Sequence, residues 1–133
     1  MIGELVMISG LFNNINYQAA VKMLDATVMR HNAIASNIAN VETPNYKRID
    51  LAPDFVKELQ NAVISGKSEQ IEKLKPQIVQ DSSAVPRRLD GNTVQLESEL
   101  VKLNQNNMEH TLETQLISSS LLKLRLAITG RVT

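Results

Sequence analysis

The 133-residue chain has no cysteine, no tryptophan, only two Phe and two Tyr, and no excess of either charge, fourteen Lys and Arg balancing fourteen Asp and Glu. Each absence excludes something. Without cysteine there are no disulfides and no thiolate metal sites. With so few aromatic side chains, the filling of a core falls to Leu, Ile, Val, Ala and Met, a usage that favours helices over a β-sandwich. A zero balance lacks the electrostatic footprint of a nucleic-acid binder, and Lys47-Arg48 and Arg87-Arg88 are only isolated basic pairs, expected as solvated turn residues.

No apolar run approaches the ~18 to 20 residues that span a bilayer. The opening MIGELVMISGLF carries Glu4, has no Lys or Arg before Lys22 and shows no small-residue cleavage site, so it does not resemble a cleaved secretory signal. Gly3 and Gly10 interrupt it, leaving a frayed turn, an export signal or a short helix open. Catalytic patterns are also missing: no Gly-x-Ser-x-Gly turn and no Gly-rich phosphate loop accompany the serines and threonines. His110 has Glu113 one turn on, but a single His–Glu pair without a Glu-x-x-His partner is a poor helical metal centre. The expectation is a protein that is not an enzyme and has no catalytic residues, no cofactor and no metal.

What the chain does contain is two long helical patterns, one at each end. In the first, Tyr17, Leu24, His31 and Ile38 recur every seven residues, with Val21, Val28 and Ala35 between them and Ala20, Thr27, Ile34 and Val41 beside them. That is one broad apolar stripe. Ala19, Ala26 and Ala33, with Met23 and Met29 close by, form a second row whose small side chains admit another neighbour. The helix is expected from about residue 11 or 17 to 41, because Thr43 precedes Pro44 and is pushed toward an extended conformation, while Asn45 tolerates a left-handed turn. The last helix is expected over about 95–129. Leu96, Leu100, Leu103, Asn107, His110, Thr114, Ile117, Leu121, Leu124 and Ile128 keep an unbroken four-three spacing, a coiled-coil seam. Val101, Met108, Leu112, Leu122 and Leu126 make a second stripe.

Folding the two helices back on each other gives an all-α architecture, an antiparallel coiled-coil hairpin of the terminal helices. Residues 1–45 and 93–133 would form a discontinuous helical core, and 46–92 an insertion. The insertion is expected to hold one short helix at about 54–65, capped by Asp54 and ended by Gly66. An extended or disordered segment follows, with residues 77–80 its one extended candidate and Asp90-Gly91 a turn. In this register Val41 lies near Leu96, so His31 falls opposite Asn107 to His110. A polar layer of His31 with one or both is predicted, a device that weakens a seam but fixes its register. Two apolar stripes on each helix exceed what a hairpin partner covers, and they mark a binding surface.

The end of the first helix also carries a motif. Asn32-Ala-Ile-Ala-Ser36-Asn37-Ile38-Ala39-Asn40, followed by Thr43-Pro44-Asn45-Tyr46-Lys47, resembles the amino-terminal signature of the bacterial flagellar axial family of rod, hook and related proteins. The short length and the Val94-Gln95-Leu96-Glu97-Ser98-Glu99-Leu100 entry to the last helix are most similar to its proximal rod members. The resemblance covers roughly the first 60 and last 45 residues. Val41-Glu42 and Asn45 depart from the family pattern, which usually has a smaller, Asp-containing pair and a Gly there.

The resemblance implies a structural subunit of the proximal rod of the flagellar basal body, assembling through its terminal helices into a tubular drive shaft for torque and export. The motif residues Asn32, Ser36, Asn37, Ile38, Ala39, Asn40, Thr43, Pro44 and Tyr46 would serve assembly, the Asn side chains hydrogen-bonding within and between subunits. Implied partners are copies of the chain, other rod proteins, the rod-base adaptor and the flagellar type III export apparatus, with no nucleic acid and no membrane insertion. The implied location is the periplasmic rod, reached without a cleaved signal peptide. Alternatives are another axial rod protein, or a cytosolic helical binding module such as an export chaperone.

Overall fold

The computed structural model describes residues 15–130. The expectations for residues 1–10, and for a helix start at 11, lie outside the described residues. Helix α1 runs Ile15–Ala39 and is followed by strand β1 (Ile49–Leu51), helix α2 (Pro53–Ile64), helix α3 (Ser68–Lys73), strand β2 (Ile78–Gln80) and helix α4 (Leu96–Thr129). At 1.5 Å per residue, α1 is about 38 Å long and α4 about 51 Å. The two long helices pack closely against each other and frame the molecule as a hairpin.

Local chemistry explains the ends. The helical ladder of α1 closes with Asn40 N donating to Ser36 O at 3.1 Å, and the chain then turns through Asn45 at φ 59, the left-handed conformation expected of it. Helix α2 starts with Pro53 in its first turn, where a missing N–H is harmless. Asp54 is not its cap, as the sequence suggested, but sits in the first turn facing the positive end of the helix dipole. Gly66, at φ 65, ends α2 in a Schellman motif: Lys67 N reaches Ala62 O at 3.2 Å and Gly66 N reaches Val63 O at 3.1 Å. At the far end of α4, Gly130 adopts φ 65 and its N–H meets Leu126 O at 2.8 Å.

The insertion is more ordered than its composition suggested. Besides α2 it has a second short helix, α3, and the expected extended stretch pairs as β2 with β1 in an antiparallel ladder, Ile49 opposite Gln80 and Leu51 opposite Ile78. The ordering comes from few but well-placed apolar residues. Phe55, Leu59, Ala62 and Ile71 pack on Ala26 with Ala19 and Met23 beside it, forming the hydrophobic core. Ala19 and Ala26 of the α1 row are therefore covered by the chain's own insertion.

The seam between α1 and α4 departs from the predicted one in a specific way. Leu103, Ile117 and Leu124 are half-buried, as are Tyr17, Val21 and Leu24 on α1, and Ile34 is fully buried. Val28 and His31 on α1, and Leu96, Leu100, Asn107, His110, Leu121 and Ile128 on α4, are instead exposed. On α4 their place is taken by the row one residue earlier, in which Glu99 and Asn106 are buried and Glu113, Ser120 and Ala127 half-buried. Periodicity cannot separate these two rows, because both keep the four-three spacing with Leu103, Ile117 and Leu124. Helix α4 is turned toward its polar row because that row has hydrogen-bond partners waiting for it on α1 and after the motif.

Candidate assembly site

The motif after α1 is held by one buried amide. Asn37 is 0 % exposed and uses its side chain as a peptide group would: Nδ2 donates to Ile49 O at 2.8 Å while Oδ1 accepts from Ile49 N at 2.9 Å. Tyr46 adds its hydroxyl to Oδ1 at 3.2 Å and shares a 3.1 Å hydrogen bond with Ser36. Asn40 donates back to Ser36 O at 2.8 Å and accepts from Thr43 Oγ1 at 3.1 Å. These side chains replace the partners that backbone groups lose where a helix ends. Asn37 and Asn40 thus hydrogen-bond within the chain, whereas Asn32, Ala39, Thr43 and Pro44 face outward and Ile38 is half-buried.

A residue outside the motif completes the turn. Buried Asn92 donates its amide to three carbonyls at the end of α1, those of Asn40, Val41 and Thr43, at 2.9, 3.1 and 2.8 Å, and accepts from Val94 N at 2.7 Å. It ties the exit of α1 to the entry of α4. Asn92→Ala is expected to lower stability by about 1–3 kcal/mol, the cost of orphaned buried carbonyls, measured by urea unfolding. Next to it, Gly91 adopts φ 77, a backbone conformation that favours glycine, and a Cβ there would also displace the exposed Asn45 side chain.

Arg48 joins everything. Its guanidinium is buried and reaches Glu99 at 2.7 Å, Asp50 at 3.1 Å and Asp81 in a short contact, while its backbone N–H donates to Thr93 Oγ1 at 2.8 Å. Asp50 also binds Arg30 of α1 at 2.9 Å, and Glu99 accepts from Asn37 at 3.2 Å. One arginine therefore bridges the motif, the insertion and α4. Burial works against its charge, but the hydrogen bonds to Glu99 and Asp81 prevail and hold its pKa above the ordinary arginine value. Asp81 is pushed below the usual carboxylate value by hydrogen bonds from Ser83, burial opposing, with Arg48 adding to the shift. The sequence marked Arg48 only as half of a solvated basic pair. Its neighbour Lys47 hydrogen-bonds Gly91 O at 2.7 Å, so neither is simply solvated.

Midway along the seam lies a second polar group. Thr27 Oγ1 is 2.8 Å from Met23 O and 2.8 Å from Glu113 Oε2, and Asn106 Nδ2 donates to Thr27 O at 2.9 Å. His31, Asn107 and His110, the predicted layer, gather round an adjacent recess of about 300 Å³ with Thr27, Val28 and Asn106. The side chains bonded across the seam are nevertheless Thr27, Asn106 and Glu113. Thr27 lies in the apolar stripe expected of the first helix, whereas Asn106, in a run of four amide residues, looks like an ordinary surface residue in the sequence.

Burial raises the pKa of Glu113, opposed by the Thr27 hydrogen bond and reinforced by Glu109. A raised carboxyl favours the protonated folded state, so its contribution to stability is fully present below the unfolded pKa and is lost as pH rises through the folded one. Glu113→Gln is expected to remove this pH-dependent loss and to be more stable than the parent at neutral pH, read from unfolding midpoints between about pH 4 and pH 8.

The outward face of α4 is apolar without cover. Val101, Met108, Leu112 and Leu122 are exposed, Met108 at 73 % and Leu112 at 63 %. Among the described residues no group of three or more His, Asp or Glu is placed to hold a metal ion, and no helix is long and apolar enough to cross a membrane.

Comparison with known proteins fits this arrangement. The family model described as flagella basal body rod protein matches residues 18–47, the stretch from α1 through the Asn37–Tyr46 turn. The flagellar basal body rod protein FlgB of Borrelia hermsii is 30% identical over 115 residues, covering 73% of this chain and 83% of that protein. FlgB of Borreliella burgdorferi is 29% identical over 110 residues, 70% of this chain and 80% of that protein. FlgB of Salmonella typhimurium is 27% identical over 114 residues, 74% of this chain and 81% of that protein. With identity spread over most of both chains and the family model on the motif, the chain belongs to the FlgB family of flagellar basal body rod proteins, which are structural and non-catalytic.

Proposed function

We propose that the chain is a subunit of the proximal rod, a part of the flagellar drive shaft that passes torque outward and encloses the export channel. The observation that carries this is the uncovered apolar length of α4. The insertion covers Ala19 and Ala26 of α1, and α1 covers one side of α4, yet Val101, Met108, Leu112 and Leu122 remain at the surface. An exposed stripe of this length is a contact surface. Copies meeting through different faces, with a rotation between them that does not close, extend into a helical tube. Packed helices transmit strain because protein interiors have low compressibility.

On this account α1, α4 and the outward motif residues Asn32, Ala39, Thr43 and Pro44 meet neighbouring subunits, while Asn37, Asn40 and Tyr46 shape the turn that presents them. The partners are further copies, other rod proteins, the rod-base adaptor and the flagellar type III export apparatus. The place of work is the periplasmic rod. Replacing both Met108 and Leu112 with lysine, beside Glu109 and Glu113, should leave helicity and thermal stability nearly unchanged, since both are exposed, but abolish rod assembly and swimming. Motile cells with normal rods would overturn the assignment of this face.

A further inference from the structure

Asn106 holds an unfinished contact. Its side chain is 2 % exposed and its amide nitrogen is committed to Thr27 O at 2.9 Å, while its carbonyl oxygen Oδ1 is buried with no hydrogen-bond partner. Exchanging the two ends of the amide does not help, because the oxygen would then face the Thr27 carbonyl. The acceptor calls for a donor from outside its present neighbours.

Asn106 lines the recess between α1 and α4 together with Val28, His31, Asn107 and His110. Side chains on a helix lean toward its N-terminus. In an antiparallel pair this tips His31 of α1 toward Thr27, and His110 of α4 toward Asn106, so the two exposed imidazoles form the mouth. The recess interrupts the outer row of α4, with exposed Leu96 and Leu100 on one side of it and Leu121 and Ile128 on the other. Whatever seals the recess while covering that row is an element about as long as α4 itself, roughly 50 Å. It is apolar along one edge and offers an N–H donor about a third of the way along. Helix α4 has that length, that row, and four consecutive amide side chains, Asn104-Gln105-Asn106-Asn107, about a third of the way from its N-terminus, so a copy lying parallel and in register brings them to the recess.

We propose that this recess is the register point for a second copy of the chain, whose α4 lies along the outer row and sets an amide donor against Asn106 Oδ1. The proposal rests on the rod-subunit assignment and adds where one copy reads another. A buried amide layer weakens an apolar interface yet admits one register only.

The chain has no cysteine, so a single Asn107→Cys substitution places a thiol that reports on the recess, with Ser82→Cys on the insertion as control. Purified full-length protein is assembled and treated with a maleimide. The thiol of Asn107→Cys is expected to react at least tenfold more slowly in assemblies than in monomers, with that of Ser82→Cys unchanged. In parallel, Asn106→Leu should keep its helicity and weaken self-association about tenfold, the loss of one hydrogen bond. Equal reactivity of the Asn107→Cys thiol in both states overturns the proposal even if Asn106→Leu fails to fold. So does undiminished association of a folded Asn106→Leu. If the parent protein never self-associates, the rod-subunit assignment fails first and the register point falls with it.

Discussion

Glu99→Leu is expected to destabilise the protein by about 3–5 kcal/mol, because it leaves the buried Arg48 guanidinium short of its closest fully buried counter-charge. The carboxylate also receives Asn37, so the same change removes a partner from the amide that holds the motif turn. Urea unfolding should show the loss as a lower midpoint with an unchanged slope. Arg48→Met should be costly too, since Asp81 and Glu99 would lose their cation and Asp50 would keep only Arg30. The double variant Arg48→Met with Glu99→Leu should recover much of the loss, as buried ion pairs replaced whole by apolar side chains often do. A strictly additive double variant would show that the two residues act independently, contrary to their 2.7 Å contact.

The second large effect is expected at Ile34→Pro. Ile34 is fully buried in the interior of α1, so proline there removes a helical hydrogen bond, clashes with the preceding turn and deletes a core side chain. The backbone effect alone amounts to about 3 kcal/mol or more. Since α1 carries the core of the insertion on one face and α4 on the other, the lesion should unfold both, with loss of helicity by circular dichroism and no rod assembly. An intact rod in that variant would contradict the place given to α1.

Much of the architecture was legible because the two long helices obey strong periodicities, α1 giving way at Ala39 to a turn through Asn45 and α4 stopping at Gly130, where left-handed backbone is inexpensive. The insertion was less legible. Its order depends on Ile71 reaching Phe55 and Leu59, and on Asp81 reaching Arg48, contacts between residues far apart in sequence that no local pattern announces. The seam shows the same limit in another form. The sequence contained two interleaved rows on α4, and the more apolar one was the natural choice. Glu99 and Asn106 were drawn inside because Arg48, Asn37 and Thr27 supply partners, leaving Leu96, Leu100, Leu121 and Ile128 for the surface. The motif was easy to see, whereas its division into an inward set, Asn37 with Asn40, and an outward set, Asn32 with Thr43, needed the fold.

The central claim is that this chain builds the rod, and the most direct measurement is deletion of its gene in the bacterium that encodes it. Swimming is scored, and basal bodies are examined by electron microscopy. The account predicts non-motile cells whose basal bodies stop at the membrane ring without a rod, restored by the intact gene. Complete rods and filaments in the deletion strain would contradict it.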